Sequence, residues 1–129
     1  MELRILSITI ARDWQQLYEQ FWAPEAFPLW ASGLTGSELR RDGDAWIATG
    51  PNGPVRLRFT AHNAFGIMDH YVELGDGGEI YVPLRIIPNG DGAEVIFVLY
   101  RQPGMSAEQF AADAEWVARD LEALRRLAA

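Results

Sequence analysis

His70 is the residue whose type and position most readily serve chemistry. It sits in the run Met68-Asp69-His70-Tyr71-Val72-Glu73-Leu74, where Met68, Val72 and Leu74 alternate with polar or aromatic neighbours and share its side of a strand. Facing an interior, an imidazole can donate to a bound molecule or act as an acid or base. It can equally be a core histidine satisfied by backbone or by a neighbour. Arg85 is the second candidate. Pointing into the same interior from an adjacent strand, it would need an anionic or carbonyl partner, and together with His70 would suit a carboxylate, enol or phenolate. Asp69 faces away from His70 and is expected to pair with an outward arginine such as Arg58. His62 lies near a turn on the outward side, so no metal site combining His62, His70 and an acid is expected. Trp30, Trp46, Phe59, Tyr81 and Phe97 are candidates to line a pocket, with Trp22 and Trp30 near its mouth. Trp46 is also suited to plugging a core against Phe59.

Other chemistries are closed to the chain. All eleven basic residues are arginine, so no lysine can form a Schiff base. The chain has no cysteine, hence no thiolate nucleophile, disulfide or cysteine-based zinc site. A net charge of −7 disfavours binding to phosphate backbones. The glycine-rich stretches Gly75–Gly78 and Gly90–Gly92 read as hairpin turns with no helix N-terminus behind them, which argues against a phosphate cradle. No local motif suggests a Ser-His-Asp arrangement. No apolar run approaches the ~20 residues that span a bilayer. The start, Met1-Glu2-Leu3-Arg4, lacks a signal-peptide apolar stretch, so a cytoplasmic location is expected. No cofactor is expected, and the oligomeric state is left open.

These residues need a frame, and the chain of 129 residues is long enough for one domain with a real core. Aromatic residues make up 12% of it, a load that suits a bulky core or an aromatic-lined pocket. Arg4 to Ile10 reads as a strand. Asp13 can cap a helix whose apolar positions are Trp14, Leu17, Tyr18, Phe21 and Trp22, ended by Pro24, and a second short helix is expected over Glu25 to Trp30. Asp42-Gly43, Asn52-Gly53, Asn63–Gly66, Gly75–Gly78 and Asn89–Gly92 are turn signals. They separate strand-like runs at Gly36–Arg41, Ala45–Thr49, Val55–His62, Ile67–Leu74, Glu79–Ile87 and Ala93–Arg101, an antiparallel meander. Ser106 and Gln109 fit a capping box opening a long helix, on which Phe110, Ala114, Val117, Leu121, Leu124 and Ala128 form one apolar stripe.

Turn parity then assigns faces. With Val55, Leu57, Phe59 and Ala61 inward, the Asn52-Gly53 turn sets Phe59 opposite Trp46 and Leu57 opposite Ala48, and Asp42-Gly43 sets Trp46 opposite Leu39. The Asn63–Gly66 turn sets Ala61 opposite Met68, Phe59 opposite His70 and Leu57 opposite Val72. An even turn at Gly75–Gly78 would place Tyr81 and Arg85 inward and Ile80, Val82, Leu84 and Ile86 outward. Hydrophobicity selects the reverse, which a bulge or an odd loop would restore. The parity reading, carried through three preceding hairpins, is the one adopted. In the last strand either Val95, Phe97 and Leu99 or Ile96, Val98 and Tyr100 face inward. An even Asn89–Gly92 turn cannot turn both Arg85 and Phe97 inward.

The order of elements resembles the START/Bet v 1-like (SRPBCC) superfamily, specifically its bacterial polyketide cyclase/dehydrase-like branch. The segments that carry the resemblance are Ile8-Thr9-Ile10-Ala11, Pro28-Leu29-Trp30, Gly66-Ile67-Met68-Asp69-His70, the stretch from Val82 to Gly92, and Arg101-Gln102-Pro103-Gly104-Met105-Ser106. It implies one α+β domain over residues 1–129 with a helix-grip fold: a seven-stranded curved antiparallel sheet, two short helices and a long C-terminal helix. It also implies a cavity between sheet and helix lined by apolar and aromatic side chains, with Asp69, His70 and Arg85 at positions similar to those of relatives. No catalytic set is common to the superfamily, so none is transferred. The expected ligand set is Trp30, Trp46, Phe59, His70, Tyr81, Arg85 and Phe97. The function expected first is binding of a hydrophobic or aromatic small molecule, with His70 and Arg85 anchoring a polar, anionic or carbonyl end. One alternative is a cyclase/aromatase-like enzyme with His70 as acid/base and Arg85 stabilising an enolate. The other is a protein-interaction domain with a filled core.

Overall fold

Strand β1 runs from Leu3 to Ile10, and Asp13 starts helix α1, Trp14–Phe21, by accepting from the Gln16 N–H at 3.1 Å. Pro24 cannot continue an α-helix and opens a 3₁₀ helix, Pro24–Leu29, where the second short helix is expected. A further 3₁₀ turn covers Ser32–Leu34. Then come β2 (Arg40–Asp42), β3 (Ala45–Gly50), β4 (Gly53–Phe59), β5 (His70–Glu73), β6 (Glu79–Val82), β7 (Leu84–Asn89) and β8 (Gly92–Tyr100). Helix α2, Ala107–Ala128, closes the fold. This computed structural model describes residues 1–34, 37–50 and 53–129. Gly36, the expected start of a strand, and Asn52 of the expected Asn52-Gly53 turn lie outside the described residues.

All pairing is antiparallel. β1, β8 and β7 form one ladder in that order, and β2 to β6 form another in sequence order. The run expected as one strand over Glu79–Ile87 is two strands, because Pro83 has no N–H to give to a ladder. Among the described residues there are therefore eight strands in two ladders where seven are expected. The ladders stay joined: the Pro83 carbonyl accepts from the Val98 N–H at 3.0 Å, and Met68 N–H donates to the Leu84 carbonyl at 2.8 Å.

The register agrees with turn parity at one hairpin and departs from it at others. Phe59 pairs with His70 and Leu57 with Val72, as expected. Trp46 pairs with Leu57 and Ala48 with Val55, two residues from the expected alignment, and Arg41 rather than Leu39 opposes Trp46. A shift of two keeps every side chain on its face. Between β5 and β6 the shift is one. His70 pairs with Val82 and Glu73 with Glu79, leaving an odd loop over residues 74–78, closed by the Leu74 N–H on the Gly78 carbonyl at 2.8 Å. Val82, Leu84 and Ile86 are consequently buried, and Tyr81 and Arg85 lie on the outer face. This corrects the inward placement of both. Burying three aliphatic side chains is worth roughly 2 kcal/mol each, whereas an inward Arg85 would be a desolvated charge in search of a partner. Phe97 pairs with Leu84 and Val95 with Ile86, so Phe97 and Val95 face inward.

Residues 60–69 form a loop rather than a tight hairpin, organised around the Asn63 side chain, with the Tyr18 hydroxyl accepting from the Asn63 N–H at 2.9 Å and the Thr60 hydroxyl donating to the Asp69 carbonyl at 2.6 Å. The Asn63 carboxamide accepts from the Phe65 and Ile67 N–H groups and donates to the Ala61 and Ile67 carbonyls. Gly66 brings this loop against β7: the Ile86 N–H donates to its carbonyl at 2.9 Å. With a φ of 71°, it leaves no room for a side chain, since a Cβ would sit 2.1 Å from the Ile86 oxygen.

The Ser106 hydroxyl caps α2 by accepting from the Gln109 N–H at 3.0 Å. The Gln109 side chain reaches forward to Asp113 at 2.7 Å, so the reciprocal half of the capping box is not made. At the other end Arg12 Nη1 donates to the Ala128 carbonyl at 2.7 Å, placing a cation on the helix's unsatisfied carbonyls. Leu121 and Leu124 of α2 pack with Leu17 and Phe21 of α1 and with Leu84, Ile86 and Val95 beneath them. The solid core thus lies under the C-terminal half of α2. Among the described residues no helix is long and apolar enough to cross a membrane.

Candidate functional site

Under the middle turns of α2 the interior is not filled. A cavity of about 290 Å³ lies between the helix, the 3₁₀ segments and the sheet. The sheet supplies Leu57 and Phe59 from β4, His70 and Val72 from β5, Val82 from β6 and Phe97 from β8. Phe27 and Trp30 close it from the 3₁₀ segment, where a spacing of three residues puts both on one side. Trp116, Val117 and Asp120 close it from α2. Phe27 ties the wall together: its ring centroid is 4.7 Å from that of Phe59, 5.3 Å from His70 and 5.5 Å from Trp30.

Of the sequence candidates, Trp30, Phe59, His70 and Phe97 meet at this cavity. Trp46, Tyr81 and Arg85 do not. Trp46 is on the inner side of β3 but lies out at the sheet margin, with the Arg41 guanidinium over its ring at 5.4 Å, in a groove beside Trp22. Tyr81 stacks on the outer face between Tyr71 and Tyr100, at 5.0 and 6.3 Å. Arg85 donates to Asp69 there, with Nη2 2.9 Å from Oδ2. Asp69 also accepts from the Tyr81 hydroxyl and the Leu84 N–H, each at 2.9 Å. Burial pushes its carboxyl up, but the bonds from Arg85, Leu84 and Tyr81 outweigh this and hold it below the usual aspartate value. Asp69 thus pairs with Arg85 and not with Arg58, which bonds to Glu73 at 3.0 Å and also to Glu79. Beside it Arg56 bonds to Asp42 at 2.6 Å.

His70 is the buried polar residue of the wall, 9% exposed. Burial holds its imidazole below the ordinary histidine value, against the Met68 carbonyl and Asp69, which favour the charged form. Trp30 is 3% exposed, and its indole N–H has no partner. Such an enclosed orphan donor costs about 1–3 kcal/mol.

Trp116 and Asp120 were not singled out from the sequence. Their signals were an aromatic residue on the polar flank of α2, beside Val117, and a carboxylate one turn after it. Asp120 accepts from the Ser32 hydroxyl at 2.6 Å and the Ser32 N–H at 3.2 Å, and Trp116 donates to the same hydroxyl. The 3₁₀ turn is thereby latched to α2 at the edge of the cavity. Burial raises the Asp120 carboxyl, opposed by these bonds. No arginine contributes to the wall. Among the described residues no group of three or more His, Asp or Glu side chains could hold a metal ion.

No family model and no curated protein matches the sequence. Solved structures do match the fold. The protein XoxI from Bacillus cereus is similar over 98% of this chain and 95% of its own, with a TM-score of 0.75 at 13% identity. Ara h 8.0201 is similar over 98% and 97%, with a TM-score of 0.66 at 10% identity. DynU16, a protein of the dynemicin biosynthetic locus, is similar over 98% of this chain but 46% of its own, with a TM-score of 0.68 at 14% identity. The chain has the START/Bet v 1-like, helix-grip fold.

Proposed function

We propose that this START/Bet v 1-like chain binds a small, uncharged, mainly apolar or aromatic molecule in the cavity under α2. The observation that carries this reading is the cavity wall itself: aromatic and aliphatic side chains from sheet and helix around about 290 Å³, with no cation among them. That volume lies at the small end of ligand sites and suits a molecule of one or two rings. With Arg85 neutralised by Asp69 on the outer face, no arginine is left to anchor a carboxylate, and Asp120 at the margin disfavours an anion. The anionic end entertained from the sequence is therefore dropped from the reading.

The same placement weakens a cyclase/aromatase-like reading, which needed Arg85 beside a developing enolate. It retains His70 as a potential base, and the likeness to a protein of a biosynthetic locus keeps small-molecule chemistry in view. A filled-core interaction domain has less support, because the space beside His70 is open.

Thermal shift with naphthalene, 2-naphthol and 2-naphthoate tests the reading. The two uncharged probes should raise Tm and the anion should not. Val117→Phe, which fills the cavity from the helix, should abolish the shift. No shift with any uncharged probe, or a shift that survives Val117→Phe undiminished, would overturn the reading.

A further inference from the structure

The two ring nitrogens of His70 are not equivalent. Nδ1 lies 3.1 Å from the Met68 carbonyl oxygen, and a carbonyl can only accept, so Nδ1 carries the hydrogen. In the neutral ring Nε2 is then a bare lone pair. Nε2 has no protein partner among the described residues. Nor is it sealed off: the enclosed orphan among the described side chains is the Trp30 indole nitrogen. Nε2 is thus not enclosed as that nitrogen is, and its ring lines the cavity. The ring is held in this sense. Phe27 meets it edge-on at 5.3 Å and Phe59 packs at 5.6 Å, and a half-turn would leave the Met68 carbonyl facing a C–H.

The other polar side chains of the wall do not change this balance. The Trp116 N–H is taken by Ser32, the Trp30 N–H is enclosed within the wall, and Asp120 is itself an acceptor. Among the described residues, the side chains of the wall thus present an open acceptor to the interior, while the unpartnered Trp30 N–H is enclosed.

We infer that the site selects for hydrogen-bond donors: its ligand is an uncharged ring compound with a hydroxyl or N–H group that donates to His70 Nε2. Ketones, ethers and carboxylates of the same shape meet lone pair with lone pair and are rejected. This inference rests on the small-molecule reading above and adds to it the chemical class and the residue that sets it.

The test pairs titrations with ¹⁵N NMR of the two histidines, using naphthalene, 2-methoxynaphthalene and 2-naphthol as probes and His62→Gln to assign the signals. In the free protein His70 should show a protonated Nδ1 and a pyridine-like Nε2. 2-Naphthol should bind about tenfold more tightly than either other probe. It should move the Nε2 resonance towards the hydrogen-bonded range, and naphthalene should not. In His70→Phe the three affinities should converge. If naphthalene and 2-naphthol bind equally and Nε2 does not respond, or if Nε2 carries the hydrogen, this inference fails while the small-molecule reading stands. If no probe binds, the small-molecule reading fails first and this inference with it. The wild-type NMR measurement decides even where His70→Phe does not fold.

Discussion

At the scale of single residues, His70 and Asp69 are neighbours in sequence with opposite tasks, set by the face each occupies. His70 is kept neutral by burial. The unfolded chain takes up a proton at the ordinary value of about 6.5 while the folded chain resists it, so the unfolded state binds more protons as pH falls. Stability should therefore decline below about pH 6.5, with a slope of up to about 1.4 kcal/mol per pH unit from this group, and chemical denaturation across that range should show it. His70→Phe should flatten that part of the profile. Asp69 acts in the same direction, in a lower pH window. Its folded value is depressed, so its contribution is present above the unfolded value and is lost as pH falls through the folded one, below about 3.8. Asp69→Ala strands the Tyr81 hydroxyl and the Leu84 N–H and should cost about 2–3 kcal/mol. Arg85→Ala should cost no more than about 1 kcal/mol, because its guanidinium is half exposed, and it should leave 2-naphthol binding unchanged. A marked loss of binding in Arg85→Ala would show that the outer-face placement does not describe the working site.

At the scale of elements, two connections shape the cavity. The loop over residues 60–69 delivers His70 to the start of β5, and it depends on the close approach of Gly66 to Ile86. Gly66→Ala should destabilise by about 2–4 kcal/mol, since it combines a clash with backbone and a positive φ. The latch of Ser32 on Asp120 and Trp116 joins the 3₁₀ turn to α2. Ser32→Ala should speed dissociation of 2-naphthol, measured by stopped flow, with little change in global stability, because the latch is exposed and local. The β5–β6 connection shows why part of the site was hidden in the sequence. Four glycine-rich residues suggested an even turn, but the loop closes over residues 74–78, and an odd count reverses every side chain beyond it. The apolar pattern Ile80, Val82, Leu84, Ile86 already pointed to the observed answer, and hydrophobic burial outweighed turn parity.

At the scale of the whole molecule, the features written most plainly in the sequence were those with long, regular patterns. The stripe of α2, the caps at Asp13 and Ser106 and the facing of Phe59 and His70 are all present in the structure. Trp30, Phe59, His70 and Phe97 could be placed together because alternation along strands survives even when alignment slips by two. Trp46 was misjudged because its face is right but its position along the curved sheet carries it to the margin. Trp116 and Asp120 escaped because the stripe of a helix identifies what is buried, not what borders an unfilled space. Pro83 was visible in the sequence, yet its effect depended on where β7 had to join β8.

The central claim is that the space beside His70 receives an uncharged apolar ring. Anomalous diffraction from crystals soaked in 2-bromonaphthalene tests it most directly, since bromine reports its own position. The account predicts one dominant bromine site inside the wall formed by Phe27, His70, Phe97 and Val117, and its loss in Val117→Phe. A bromine site only in the groove beside Trp46, or none at saturating probe, would contradict it.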